Sequence, residues 1–190
     1  MSFTTADVVK LRKVTGAGMM DCKGALADAD GNFERAIEII REKGKLVANK
    51  RADRDAAEGV VLAKVSEDKK FGAIVVLNCE TDFVAKNENF VAFADSILKA
   101  ALENSADSLE TVKSLNLNGR TIEAQVTEQT GVIGEKIELS YYSKISAENV
   151  IGYIHPGNKL STLVGFNKAG VELQVTKDVA MQIAAMAPVA

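Results

Sequence analysis

A chain of 190 residues, 47% hydrophobic and 26% charged, carries enough apolar material for a core larger than that of one small unit. A net charge of −3 supplies no basic face for broad binding of phosphate backbones, and one histidine with two cysteines leaves little for metal sites or acid–base machinery. No apolar run reaches the length of a membrane span and the first residues lack signal or transit character, so a cytoplasmic protein with reduced core thiols, no membrane contact and no cofactor is expected.

In chain order, Thr4-Thr5-Ala6-Asp7 reads as a capping box, and Val8, Leu11 and Val14 give the helix behind it one apolar stripe. Thr15-Gly16-Ala17-Gly18 breaks that helix, because two glycines permit a tight turn closed to most residues. A second short helix runs from Met19 to Ala29, and Asp30-Gly31-Asn32 turns the chain and caps a third. Phe33, Ala36, Ile37 and Ile40 fit the helical period, and Gly44 reads as the stop signal. Of Met19 and Met20, one is expected in the small core and one on the surface. The stretch Lys43 to Arg54 is basic with scattered alanines, and as a charge run it reads as a solvated face. It lacks the interleaved aromatics that contact with nucleic acid would favour.

At Glu58-Gly59 the period changes. Val60 to Val65 and Phe71 to Leu77 are rich in β-branched residues and flank the polar turn Ser66 to Lys70, which is a hairpin signal. From Phe90 the helical period returns through Phe93, Ala94, Ile97 and Ala101, with Asn87 placed as the N-cap. Thr81-Asp82-Phe83-Val84 therefore lies on a strand-to-helix connection, where a rigid scaffold presents working residues. Phe83 beside Asp82 either enters a partner's pocket or tucks under the helix that follows, and the residues alone leave both readings open. The segment from Leu109 to Gly131 is polar and helical in part, with Leu115, Ile122 and Val126 as its apolar contacts. Gly131 to Lys136 has the wrong glycine spacing for a phosphate loop and precedes a strand rather than a helix. Val150 to Ile154, a His155 to Lys159 turn, Leu160 to Phe166 and a helix from Val171 to Met186 repeat the strand–strand–helix pattern of Val60 to Leu102. The inward face expected for that last helix includes Leu173, Val179, Ala180, Ile183, Ala184 and Met186.

Several of these stretches resemble one family. Thr15 to Lys23, Ala25-Leu26, Gly31-Asn32 and Ala36-Ile37 resemble the amino-terminal, ubiquitin-associated-like domain of the elongation factor Ts family. Asn78 to Asn87, centred on Thr81 to Val84, is similar to the most characteristic motif of that family, and Gly131 to Ile137 also matches, with Lys136 where asparagine is usual. The resemblance implies an α+β protein: a three-helix bundle over residues 1–45, a basic linker helix over 46–57, and two core subdomains of antiparallel hairpins and packed helices over 58–145 and 146–190. The second subdomain is expected to be incomplete and the chain carboxy-terminally shortened. The implied function is guanine nucleotide exchange in translation elongation. The chain would bind elongation factor Tu, Asp82 and Phe83 would enter its G domain, and Thr81 to Val84 would dislocate its magnesium and promote GDP release. Met19, Met20, Lys23 and His155 are the further partner contacts implied, and whether the chain is a monomer or a dimer stays open.

Catalytic readings find little support. Cys79 and His155 would make a thiol pair, but no orienting partner or oxyanion donor accompanies them, and Cys79 ends an apolar strand as an inert core thiol would. No enzyme activity, catalytic residue or metal site is expected. The alternative function is a protein-binding adaptor that uses the ubiquitin-associated-like bundle and has no exchange activity.

Overall fold

The computed structural model describes residues 3–188. Met1, Ser2, Val189 and Ala190, on which the expectations about the two chain ends partly rest, lie outside the described residues. The chain is α+β and forms two compact units, one running to Asp55 and including Ala124–Ile137, the other built from Ala56–Glu123 with the chain from Glu138 onward.

The first unit opens with three helices, α1 (Thr5–Thr15), α2 (Met19–Asp28) and α3 (Phe33–Lys50). The capping box forms as the spacing requires: the Thr4 hydroxyl accepts from the Asp7 backbone N–H, and the Asp7 carboxylate accepts the Thr4 N–H at 2.8 Å. Gly16 ends α1 at φ 73°, and the Asn32 side chain caps α3 by accepting from the Arg35 N–H at 2.9 Å. Val8, Leu11, Cys22, Ala25, Leu26, Ala36 and Ile40 form the core between the three helices. Val14 does not join the stripe and is exposed; the inward face of α1 runs from Val8 and Leu11 to the half-buried Thr15, whose hydroxyl donates to the Leu11 carbonyl at 2.8 Å. Met19 and Met20 are both exposed, so neither plugs the core, which Leu11, Leu26 and Ile40 occupy with the alanines between them.

Gly44 does not stop α3. The helix continues to Lys50 because Gly44 is buried against a second helix, α7 (Ile122–Ile133): a Cβ on Gly131 would lie 2.2 Å from the Gly44 Cα. Glycine here serves close approach of two helix backbones rather than termination. Lys136 then ties the chain beyond α3 by donating to the carbonyls of Ala52 and Arg54, each at 3.0 Å.

The second unit contains a three-stranded antiparallel sheet in the order β1 (Glu58–Val65), β2 (Phe71–Cys79), β5 (Glu138–Ser146). The register pairs Glu58 with Cys79 and Val65 with Gly72, and an irregularity at Val76/Leu77 shifts β2 against β5. Alternate β2 residues Ala73, Val75, Leu77 and Cys79 are buried, as are Phe90, Ala94, Ile97, Leu98 and Ala101 of helix α5 (Glu88–Glu103), which packs on β1 and β2. A second hairpin, β6 (Asn149–Ile154) with β7 (Ser161–Phe166), stacks on the other face, close enough that a Cβ on Gly72 would meet Val150 at 2.8 Å. Helix α8 (Leu173–Met186) packs on β6 and β7 through Thr176 and Ala180, and Thr162 donates to the Ala180 carbonyl at 3.0 Å. Leu173 and Met186 are exposed and do not belong to the inward face, which Thr176 and Ala180 occupy. Each hairpin is thus followed by a helix that packs on it.

Between α5 and α7 the polar segment folds into α6 (Leu109–Ser114) and a two-residue hairpin, β3 (Asn116–Leu117) with β4 (Arg120–Thr121). Its turn is Asn118-Gly119, both at positive φ (54° and 85°), which is the backbone such a tight hairpin demands. Tyr142 on β5 donates its hydroxyl to the Ala106 carbonyl at 2.7 Å and closes this side of the unit.

Candidate functional site

The chain leaves β2 at Cys79 and enters a one-turn helix, α4 (Asp82–Ala85), before Asn87 caps α5 by accepting from the Asn89 N–H at 2.9 Å. A single helical turn is not self-supporting, since nucleation is unfavourable and the turn is too short to recover it by propagation. Side-chain ties supply what the length does not. The Cys79 thiol, fully buried, donates to the Thr81 carbonyl at 3.2 Å. The Asp82 carboxylate accepts from Lys86 at 2.6 Å across the turn, and Ala85 is buried beneath it. Backbone bonds from Ala85 to Thr81 and from Lys86 to Asp82 complete the turn.

Phe83 projects from this turn. It is 84% exposed, whereas Phe90, seven residues on, is 3% exposed in the core. Of the two readings open for Phe83, tucking under α5 is therefore excluded. Thr81, Asp82 and Val84 are half-buried around it. The Lys86 ammonium, with a smaller contribution from Lys159, holds the Asp82 carboxyl below the ordinary value of 3.8, so Asp82 is charged at neutral pH.

The unit brings a second sequence-distant segment to the same end. The β6–β7 turn runs from His155 to Lys159, and the Asn158 carbonyl accepts from the Val61 N–H at 2.7 Å on the free edge of β1. Ser161 donates to the Val61 carbonyl at 2.7 Å, and Lys159 pairs with Glu58 at 2.6 Å. Glu58 is the register partner of Cys79, so Lys159 stands at the strand end that carries the turn of α4. The pairing raises the Lys159 ammonium above its ordinary value, with Glu58 the main cause and Asp82 and Cys79 lesser ones. His155 is exposed, and its Nδ1 shares a 2.9 Å hydrogen bond with the Tyr153 hydroxyl.

Met19, Met20 and Lys23 lie in the other unit, at the start of α2, where Met20 is 77% exposed and Lys23 is exposed too. A cleft of about 170 Å³ beside Gly18, Asp21, Lys43 and Gly131 lies in that unit, smaller than the ~300 Å³ at which pockets for drug-sized ligands begin. Among the described residues, no group of three or more His, Cys, Asp or Glu side chains is arranged to hold a metal ion, and no helix is long and apolar enough to cross a membrane. Sequence reasoning missed Lys86, Glu58 and Lys159. The spacing of Asp82 to Lys86 is a legible i,i+4 signal, whereas Glu58 and Lys159 are joined only by the fold.

Comparison with known proteins places these features in a family. The family model described as Elongation factor TS matches residues 80–190, which begins at the α4 connection and runs through β5, the second hairpin and α8. An Elongation factor Ts of Porphyromonas gingivalis is 54% identical over 192 residues, covering 100% of this chain and 69% of that protein. That of Azobacteroides pseudotrichonymphae is 50% identical and covers 100% of this chain and 68% of that protein. The Bacteroides fragilis protein of the same name is 52% identical, and this chain spans 57% of its length.

Proposed function

Because this chain belongs to the elongation factor Ts family, a family of translation elongation factors, we propose that it binds the GTPase elongation factor Tu and accelerates release of its GDP. The single observation that carries the reading is Phe83: a large apolar ring held 84% in water on a turn whose backbone is tied down on both sides. Single exposed apolar residues are ordinary on protein surfaces. A ring presented on a fixed turn at the centre of a family motif is what a wedge requires.

The physics of exchange sets the mechanism. A GTPase holds GDP through its phosphate loop and a bridging magnesium ion. A factor that speeds release binds the nucleotide-free partner better than the GDP-bound one, and by linkage GDP weakens the factor as much as the factor weakens GDP. Each tenfold of loosening needs about 1.4 kcal/mol of that difference. In this proposal Phe83 enters an apolar space that the partner opens only when the elements holding magnesium move. Burying one such ring supplies roughly 1.5–3 kcal/mol, so Thr81, Asp82 and Val84, with His155 and the α2 residues Met19, Met20 and Lys23, contribute the remainder as further contacts. Asp82, charged and already bonded to Lys86, exchanges that neighbour for a donor on the partner. The protein makes and breaks no covalent bond in this scheme.

The test is release of a fluorescent GDP analogue from elongation factor Tu by the parent chain, Phe83→Ala and Asp82→Asn, each with magnesium and with a chelator. Phe83→Ala is expected to slow release in both conditions. Asp82→Asn is expected to slow it strongly with magnesium and much less once magnesium is chelated. Equal activity of Phe83→Ala and parent would remove the wedge.

A further inference from the structure

Phe83 and His155 are 72 residues apart in sequence, yet the fold delivers both to one end of the second unit. Contacts through the edge of β1 join them. The His155–Lys159 turn reaches the free edge of β1 through the Asn158 carbonyl and Val61 N–H, and through the Lys159–Glu58 ion pair. On the other side, Glu58 pairs in register with Cys79, whose thiol holds the Thr81 carbonyl at the mouth of α4. One path from turn to motif therefore runs Lys159, Glu58, Cys79, Thr81, and Lys159 also acts on the Asp82 carboxylate through its charge. Deepening the exchange reading above, on which its functional part rests, we propose that Lys159 is a positioning residue: by bracing the turn against Glu58 it fixes His155 and Phe83 as one preformed surface.

Two observations support bracing over a direct contact with the partner. Lys159 donates at 2.6 Å to Glu58, a residue of its own unit that is about one-third exposed, so its ammonium is engaged inward. The backbone bond at Val61 also fixes where the turn sits, so the ion pair adds to a site the main chain already defines. A partner that must meet both segments at once binds better when they are held in register than when it has to order them, since that ordering is charged against affinity. Bracing therefore acts on the concentration at which the partner is engaged and leaves the rate of release within the complex unchanged.

The experiment compares the parent with Lys159→Met, Glu58→Gln and the charge-swapped double variant Glu58→Lys/Lys159→Glu. The first readout needs no partner: hydrogen–deuterium exchange of the Val61 amide in the free chain. Exposed pairs of this kind change an equilibrium by about two- to fivefold, so each single variant is expected to speed Val61 exchange by about threefold, with the swap restoring it. The second readout is GDP release from elongation factor Tu at increasing chain concentration. Each single variant is expected to raise the half-saturating concentration by about threefold at an unchanged maximal rate, and the swap to restore it. Val61 exchange that stays at the parent rate in Lys159→Met overturns the brace, and so does a swap no better than the single variants. A Phe83→Ala chain that releases GDP normally defeats the exchange reading instead, and the Val61 amide still decides the brace.

Discussion

Replacing Phe83 by alanine separates a wedge from a core residue, and the structure fixes the size of both effects. With 84% of its surface in water, Phe83 keeps about one-sixth of a side chain of roughly 200 Å² covered, which at about 25 cal/mol per Å² amounts to ~0.8 kcal/mol. Phe90, 3% exposed among Ala94, Ile97 and the buried face of β2, is the internal control, and its truncation is expected to cost about 3–5 kcal/mol. For a chain of this size each kcal/mol moves the midpoint by about 2–4 °C, so Phe83→Ala should lose about 2 °C and Phe90→Ala about 10 °C in thermal unfolding followed by circular dichroism. The same two variants should reverse order in function. Per folded molecule, Phe90→Ala keeps its GDP release, whereas Phe83→Ala loses up to about 2–3 kcal/mol of differential binding, roughly 30- to 150-fold. A Phe83→Ala protein that melts as low as Phe90→Ala yet exchanges normally would refute the reasoning.

Three further outcomes follow from the geometry. Gly131→Ala puts a methyl 2.2 Å from the Gly44 Cα, so one of two helix backbones must move, and urea unfolding should show a loss of about 1–3 kcal/mol, the cost of overpacking. Tyr142→Phe removes the hydroxyl that donates to the Ala106 carbonyl and leaves that carbonyl to find another donor, a loss of about 1–2 kcal/mol in the same assay. Asp82 titrates below 3.8, so the stability its pair with Lys86 contributes is present at neutral pH and is lost as pH falls through the depressed folded value. Carboxyl NMR titration should show this, with Lys86→Met moving the Asp82 midpoint upward; an unchanged midpoint would contradict the pairing.

Local signals in the sequence were dependable where the chain answers to itself. The Thr4/Asp7 box, the Asn32 and Asn87 caps and the β1–β2 hairpin about Ser66 to Lys70 all depend on neighbours a few residues away, and the structure forms each of them. The Asn118-Gly119 turn carries an equally local signal, a residue pair suited to the positive φ that a two-residue hairpin demands. Gly44 shows the limit of local reading. Glycine after a periodic run signals a helix end, but here α7 packs against it, and a buried glycine facing another backbone keeps the helix going. Of Met19 and Met20 one was expected inside, yet both are exposed, because Leu11, Leu26 and Ile40 with the alanines between them occupy the core. At the site, the position of the motif on a strand-to-helix connection was legible, but the direction of Phe83 was not. That direction depends on Cys79, Lys86 and a buried Ala85, and only three-dimensional contacts set it. The approach of Lys159 to Glu58 spans 101 residues and has no local trace.

The central claim is that this chain loosens GDP on elongation factor Tu. The direct measurement is the rate at which a fluorescent GDP analogue leaves the purified GTPase, in excess unlabelled GDP, as the chain is titrated in. The account predicts a rate that rises with chain concentration and saturates, and, at equilibrium, chain binding to the GTPase that weakens as GDP is increased, because linkage makes the two ligands weaken each other. A release rate that stays at its spontaneous value across the titration would contradict it.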